Sequence, residues 1–229
     1  MQHLEKFDAI YQRACKRKGG AAILEATLHE PLLPQEIAKI DDARFLAEFT
    51  KKVFQSGFVW RVVVNKWPDF ERVFFEFNIE KLQLIPDEMY EQKATDPSII
   101  RNYNKVKTIR ENAIMIDNVA REHGSFAQFV ADWPTDDIIG LWGYLKKHGA
   151  RLGGNTGPYG LRTLGKDTFL LSNDAVAYFT QRDIISGSAQ SKRSLTAIQQ
   201  CFNELQQQSG RSLQEISMIL SKSVGDNYL

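Results

Sequence analysis

The chain has 229 residues, of which 43% are hydrophobic and 25% charged, a composition that is ordinary for a globular protein with a sizeable core. Its net charge of +1 argues against tight non-specific binding to nucleic acid, so such contact has to come from a local motif. No run approaches the roughly 18 apolar residues of a membrane helix, and the N-terminus lacks the apolar core of a secretory signal. We therefore expect a cytoplasmic protein with no membrane partner.

The first part of the chain predicts amphipathic helices. Apolar residues recur at helical spacing from His3 to Lys18, where two glycines follow. Asp41 and Asp42 are good N-cap residues for a helix running to about Gln55. The stretch from Phe58 to Asn65 is so apolar that we expect a short buried helix.

Further helices follow in chain order. Trp67-Pro68-Asp69 is predicted to be a turn in which Asp69 caps the next helix. The remaining predicted helices span residues 78–84, 86–94, 103–123, 136–147, 192–208 and 212–221. No internal repeat and no sustained alternation of apolar and polar residues is present, which indicates an all-α class.

The densest glycine stretch, RLGGNTGPYG, lies between two predicted helices. Glycine leaves backbone amides uncovered, and such amides at the start of a helix can bind a phosphate oxygen. The plain alternative is a linker with a glycine C-cap. Further on, LLSNDA brings Asp174 to the start of the next predicted helix, where it or Asn173 can serve as an N-cap.

Four collinear blocks carry a resemblance to a known family. They are FQSGFVWRVVVNKWPDFERVFFEFNIEKL, PSIIRNYNKVKTIRENAIMI, LKKHGARLGGNTG and LLSNDA, and they span roughly residues 41–179. Together they resemble the DNA-3-methyladenine glycosylase I family of the helix–hairpin–helix DNA glycosylase superfamily. The resemblance implies an all-α, two-lobed helical fold. We expect one glycosylase-like domain over residues 1–229, with a family-like core at 41–185 and divergent helical extensions at 1–40 and 186–229.

The implied activity is that of a monofunctional DNA glycosylase. Such an enzyme would flip a damaged, alkylated purine out of double-stranded DNA and hydrolyse its N-glycosidic bond, as a monomer and without strand cleavage. Trp60 matches the family tryptophan that stacks on the flipped base, although a core position is its plain alternative; Phe58 is assigned to the same base-binding site. Asp174 would stabilise positive charge on the sugar. The expected DNA contacts are Gly153, Gly154, Asn155, Thr156, Gly157 and Lys166.

The chain departs from the family pattern at two places. Lys52 stands where the family has a glutamate that recognises the methylated purine, and an ammonium repels a cationic base. Glu48, one helical turn earlier, could supply the missing carboxylate or simply pair with Lys52, so we include Glu48 with Asp174 among the candidate catalytic residues. Of the family's zinc ligands only Cys15 and His29 have counterparts, which is too few for a closed tetrahedral site. We predict no metal and no cofactor.

Two other functions are compatible with these residues. A non-catalytic relative that keeps the hairpin would bind DNA without releasing a base. A helical protein-interaction adaptor, favoured by the near-zero net charge and the Gln/Ser-rich C-terminal helices, would show no salt-dependent DNA binding.

Overall fold

The computed structural model describes residues 4–225 and contains α-helices and short 3-10 helices but no β-strand within this range. The all-α prediction is therefore confirmed for the described part of the chain. The α-helices are α1 (Phe7–Arg17), α2 (Ala21–Glu25), α3 (Pro34–Ile37), α4 (Asp42–Gln55), α5 (Trp60–Asn65), α6 (Trp67–Val73), α7 (Ile79–Leu84), α8 (Asp87–Lys93), α9 (Tyr103–His123), α10 (Phe126–Asp132), α11 (Ile138–His148), α12 (Thr156–Thr163), α13 (Asn173–Gln181), α14 (Lys192–Ser209) and α15 (Leu213–Lys222). None of the helices that the structure describes is long and apolar enough to cross a membrane.

Helices α4 and α9 begin or end where the sequence predicted. The Asp41 side chain accepts a hydrogen bond from the Ala43 amide and caps α4 as expected. The long helix α9 ends at Gly124, whose φ of 86° lies in the left-handed region that favours glycine. In both cases the local capping chemistry decides where the helix begins or ends.

The prediction of a buried helix after α4 is wrong. Of the residues in α5, Val63 is buried, whereas Trp60, Val62 and Val64 are exposed. The apolar composition of this segment indicated burial, but a six-residue helix can turn only one narrow face toward a core. An apolar, solvent-facing helix therefore follows the end of α4.

The segment after α6 adopts an unusual backbone. Helix α6 already includes Trp67 and Pro68, and it ends at Val73 because Phe75, Glu76 and Phe77 have φ values of 54°, 54° and 60°. Arg44 holds this left-handed turn, since its guanidinium donates to the Glu76 carbonyl and pairs with Glu71 at 3.0 Å. Phe77 is fully buried, and its ring stacks on Trp67 with centroids 5.4 Å apart.

The described chain consists of two compact units. Unit 2 comprises residues 33–133 and 141–166, and unit 1 comprises 1–32, 134–140 and 167–229, of which 4–32, 134–140 and 167–225 are described. In unit 2, α4 packs against α9, α10 and α12, and the rings of Phe45, Phe49 and Phe126 form an edge-to-face cluster with centroids 5.3–6.3 Å apart. In unit 1, α1, α13 and α14 pack on α15, and Phe169 stacks on Phe202 at 4.2 Å. The expectation of a single domain remains a prediction.

Candidate functional site

A cavity of about 160 Å³ lies in unit 2 where the C-terminal end of α4, the start of α5 and the N-terminal end of α12 meet. Its lining combines an ammonium, amides, hydroxyls and two aromatic rings: Lys52, Gln55, Ser56, Trp60, Asn155, Thr156 and Tyr159. Larger surface grooves elsewhere in unit 2 are lined mainly by charged side chains around the left-handed turn. A concave site with aromatic walls and a few polar groups is the kind that binds a planar organic ligand.

Two aromatic side chains form one side of this cavity. Trp60 is 55% exposed, so it is not the core tryptophan of the plain alternative. Its ring meets Tyr159 edge to face, with centroids 6.3 Å apart and planes at 84°. This arrangement leaves indole surface open for stacking a flat ring.

Lys52 provides the cation of the site. Its Nζ lies 5.8 Å from the Trp60 ring centroid and 2.9 Å from Oε1 of Glu48, and both side chains of this ion pair are nearly buried. Lys52 lines the cavity, whereas Glu48 is not among the lining residues. The predicted pairing of Glu48 with Lys52 is thus present, and Lys52 is the member of the pair that lines the cavity.

Gln55 adds an unsatisfied polar group. The residue is 6% exposed, lines the cavity, and its Oε1 is buried without a hydrogen-bond partner among the described residues. A buried acceptor left without a donor costs about 1–3 kcal/mol. Such a group in a cavity wall is therefore a candidate for contact with a ligand or an ordered water.

The close packing of α12 on α4 brings the two walls together. A Cβ atom on Gly160 would lie 2.7 Å from Cδ1 of Phe49 and 3.8 Å from Cγ of Lys52. Because only glycine permits this approach, α12 lies directly over the turn of α4 that carries Lys52. Tyr159, the residue before Gly160, consequently reaches the cavity.

The glycine-rich segment is a tight hairpin between α11 and α12. The Gly157 amide donates to the Leu152 carbonyl at 3.1 Å, and Gly154 has a φ of 62°. A Cβ atom on Gly157 would lie 2.6 Å from that same carbonyl oxygen. The sequence RLGGNTG therefore forms a helix–hairpin–helix arrangement, and Asn155 and Thr156 at its end line the cavity.

Lys105 fixes the turn that connects α4 to α5. Its buried ammonium donates to the carbonyls of Val53, at 2.8 Å, and Phe54, at 3.3 Å, and also to that of Ser56. Burial lowers the pKa of Lys105, and the positive charge of Arg151 lowers it further. A lysine on α9 thus satisfies the carbonyl groups at the C-terminal end of α4, next to the cavity.

Replacing Lys105 with methionine should destabilise unit 2. The substitution keeps the length of the side chain but leaves buried carbonyls without their charged donor, so we expect a loss of about 1.5–3 kcal/mol in the free energy of unfolding. Urea denaturation measures this loss. Lys107→Met is the matched control, because Lys107 is exposed on the same helix and should change stability by less than about 0.5 kcal/mol. Equal urea midpoints for the two variants would contradict this role for Lys105.

Two residues that the sequence analysis assigned to DNA or base binding, Lys166 and Phe58, do not line the cavity. Lys166 is 3% exposed and donates to the carbonyls of Ala131, at 3.2 Å, and Trp133, so its ammonium holds the end of α10 and is not available to a DNA phosphate. Phe58 is exposed and is not among the residues lining the cavity; Lys105 Nζ lies 4.6 Å from its ring centroid.

Asp174 belongs to unit 1, in the first turn of α13. The expected N-cap role of Asn173 or Asp174 is wrong, because Ser172 caps this helix by accepting from the Ala175 amide at 3.2 Å. The Asp174 carboxylate is half-buried and lies against Gly225. A catalytic role for Asp174 stays a prediction.

The described residues contain no group of three or more His, Cys, Asp or Glu side chains that could hold a metal ion. Cys15 is a buried free thiol on α1, and His29 belongs to the same unit; the Gln214 side chain donates to the His29 carbonyl at 3.0 Å. Neither residue is part of the cavity.

Three lining residues were missed at the level of sequence. Gln55 could have been found, because it lies one helical turn after Lys52 on α4. Ser56 belongs to the turn before Trp60, directly after the predicted end of α4 at about Gln55. Nothing local marks Tyr159, since its place in the cavity depends on how α12 packs on α4.

The family model described as methyladenine glycosylase matches residues 36–149. This range contains Lys52, Gln55 and Trp60, whereas the hairpin glycines and Asp174 lie beyond its end. Apart from residues 134–140, the matched range falls within unit 2.

Several solved structures resemble the chain. A 3-methyladenine DNA glycosylase I aligns with a TM-score of 0.47 and 23% identity over 55% of this chain and 79% of its own. The 3-methyladenine DNA glycosylase I of Staphylococcus aureus gives a TM-score of 0.49 and 20% identity over 68% and 91%. The 8-oxoguanine glycosylase/lyase of Methanocaldococcus jannaschii, solved with DNA containing 8-oxoguanine, gives 0.49 and 14% over 93% and 87%. No curated protein sequence matches the chain significantly.

Proposed function

Because this chain belongs to the methyladenine glycosylase family, as a divergent member, we propose that it is a DNA-repair glycosylase that flips a damaged purine into the cavity beside Trp60. The observation that carries the proposal is a half-exposed tryptophan at the mouth of a cavity inside the family-matched segment. Extruding a base costs a few kcal/mol, least for a damaged or mispaired one, and stacking on an aromatic ring returns about 1–3 kcal/mol.

The reaction is hydrolysis of the N-glycosidic bond. The oxygen of a water molecule bonds to C1′ of the sugar, the bond from C1′ to the base breaks, and its electron pair leaves with the base. One proton of the water passes to a neutral departing base, or to solvent when the base was cationic. Positive charge grows on the sugar in the transition state, and we assign its stabilisation to the Asp174 carboxylate, following the family resemblance. The products are a free base and an abasic site.

The substrate is double-stranded DNA, gripped through the hairpin between α11 and α12. Backbone amides at Gly153 and Gly154, just before α12, would bind phosphate oxygens, whereas the amides of Thr156 and Gly157 donate to carbonyls within the hairpin. This contact is local and therefore compatible with the net charge of +1. We propose that a single copy of the chain suffices.

The enzyme is proposed to be monofunctional. A lyase needs an unprotonated amine to attack C1′, whereas the ammonium that lines the cavity, that of Lys52, is ion-paired with Glu48. The DNA product should thus carry intact abasic sites that break only on treatment with alkali. Strand breaks before alkali, or a borohydride-trapped adduct that depends on Lys52, would contradict this assignment.

The proposal is tested by base release. Duplexes that carry single alkylated, deaminated or oxidised purines are incubated with the protein, and the released bases are identified by mass spectrometry. We expect at least one damaged purine to be released, and Asp174→Asn to lower that rate about 100- to 1,000-fold with unchanged DNA affinity. Asp8→Asn, on the exposed surface of α1 in the same unit, is the control and should leave the rate unchanged. DNA binding without release would indicate a non-catalytic relative, and neither binding nor release would indicate an adaptor.

A further inference from the structure

The charge distribution of the cavity does not suit a cationic base. Lys52 lines the cavity, while Glu48, whose carboxylate pairs with the Lys52 ammonium, is not part of the lining. A positively charged alkylated purine placed against Trp60 would meet the positive partner of this ion pair, whose two side chains are nearly buried. The cavity therefore disfavours the cationic alkylated purines that the family resemblance implied.

Two neighbouring residues of the cavity wall differ in their hydrogen-bonding capacity: one is a donor and the other an acceptor. Lys52 offers N–H donors, and Gln55, one helical turn further along α4, offers a buried Oε1 that lacks a donor among the described residues. The complementary edge of a base places a carbonyl oxygen next to a ring N–H, which is a lactam. Adenine presents the opposite pattern, an amino donor next to a ring-nitrogen acceptor, so it would leave both protein groups unsatisfied.

We propose, resting on the glycosylase function proposed above, that the substrates are neutral purines bearing a lactam edge, as produced by hydrolytic deamination of adenine to hypoxanthine. The carbonyl oxygen of the base accepts from Lys52, and the adjacent N–H donates to Oε1 of Gln55. Guanine bears the same edge but remains paired with cytosine, whereas hypoxanthine opposite thymine is mispaired and costs less to extrude.

Lys52 can assist the reaction only when the departing base is neutral before the bond breaks. When C1′ bonds to the water oxygen and the bond to N9 breaks, a neutral base departs with the electron pair as an anion, and a proton from the water then neutralises it. An ammonium that donates to the carbonyl oxygen stabilises this developing negative charge. A cationic base leaves as a neutral molecule and gains nothing from Lys52.

The experiment compares three lesions and three substitutions. Single-turnover release is measured from duplexes that carry hypoxanthine opposite thymine or the cationic 7-methylguanine opposite cytosine, and 3-methyladenine release is measured from methylated DNA. We expect the wild-type protein to favour hypoxanthine at least tenfold over both alkylated bases. Lys52→Met and Gln55→Leu should each lower hypoxanthine release about tenfold or more, and Lys52→Glu should shift the preference toward the cationic bases.

Controls separate loss of recognition from loss of folding. Lys51→Met removes a neighbouring ammonium on α4 that lies 5.3 Å from the Trp67 ring centroid and is not part of the cavity, so its release rates should match the wild type. Urea midpoints identify any variant that fails to fold, and Lys52→Arg, which keeps the donor, should retain more hypoxanthine release than Lys52→Met. Release of the alkylated purines with hypoxanthine left intact would overturn the lactam assignment while leaving the glycosylase function standing. Release of no base at all would overturn the glycosylase function itself.

Discussion

Replacing Trp60 with alanine is expected to lower kcat/KM for base release about 5- to 150-fold, which corresponds to the roughly 1–3 kcal/mol that stacking of one base on an aromatic ring contributes. Trp60 is more than half exposed and meets Tyr159 edge to face, so the indole surface that the substitution removes is mainly surface available to a ligand. Because the residue contributes little to the core, the free energy of unfolding should change by less than about 1 kcal/mol.

The measurement is single-turnover base release together with affinity for undamaged duplex DNA. Trp60→Phe keeps an aromatic surface and should recover part of the lost rate. Val59→Ala is the matched control, because Val59 is the adjacent exposed apolar residue and does not line the cavity. A Trp60→Ala variant that releases the base at the wild-type rate would show that the flipped base binds elsewhere.

Replacing Gly157 with alanine should disrupt the hairpin and with it DNA binding. The added Cβ atom would lie 2.6 Å from the Leu152 carbonyl oxygen and 3.1 Å from Cδ1 of Leu145, and the backbone oxygen cannot move without breaking its bond to the Gly157 amide. We expect a loss of about 1–3 kcal/mol in stability, as for other overpacked sites, and a clear drop in affinity for duplex DNA. Urea denaturation and binding measured at two salt concentrations report the two effects.

Gly143→Ala provides the comparison for this variant. Gly143 lies within α11, and a Cβ atom there would have no neighbour within 4 Å. Alanine favours a helix interior over glycine by up to about 1 kcal/mol, so this variant should be as stable as the wild type or more so, with unchanged DNA affinity. If Gly157→Ala behaved like Gly143→Ala, the hairpin would not depend on the absence of a side chain at position 157.

Local sequence predicted much of the fold because caps act locally. Asp41 and Gly124 set the limits of α4 and α9 through their own side-chain or backbone chemistry. The prediction that α5 is buried was wrong for a different reason: apolar composition does not show which face of a short helix packs against the core. The local sequence does not indicate that α6 ends at Val73, because nothing in FERVFFEF marks three consecutive left-handed residues.

The candidate site was predicted only in part, for similar reasons. Lys52 and Trp60 were found through the family resemblance, and both line the cavity. The assignment of Lys166 to DNA failed, because a lysine near a glycine-rich hairpin can equally reach inward to helix-terminal carbonyls. Tyr159 was beyond sequence reasoning, since it depends on the contact between Gly160 and Phe49.

The left-handed turn at residues 75–77 constrains the order in which unit 2 folds. A left-handed helical conformation costs on the order of 1–2 kcal/mol for each L-residue, so this turn is not populated in the isolated segment. It becomes favourable only once Phe77 is buried against Trp67 and Arg44 of α4 reaches the Glu76 carbonyl. The segment between α6 and α7 should therefore acquire its native backbone late, after α4 and α6 have docked. Its amides should also be among the first in the unit to exchange with solvent deuterium.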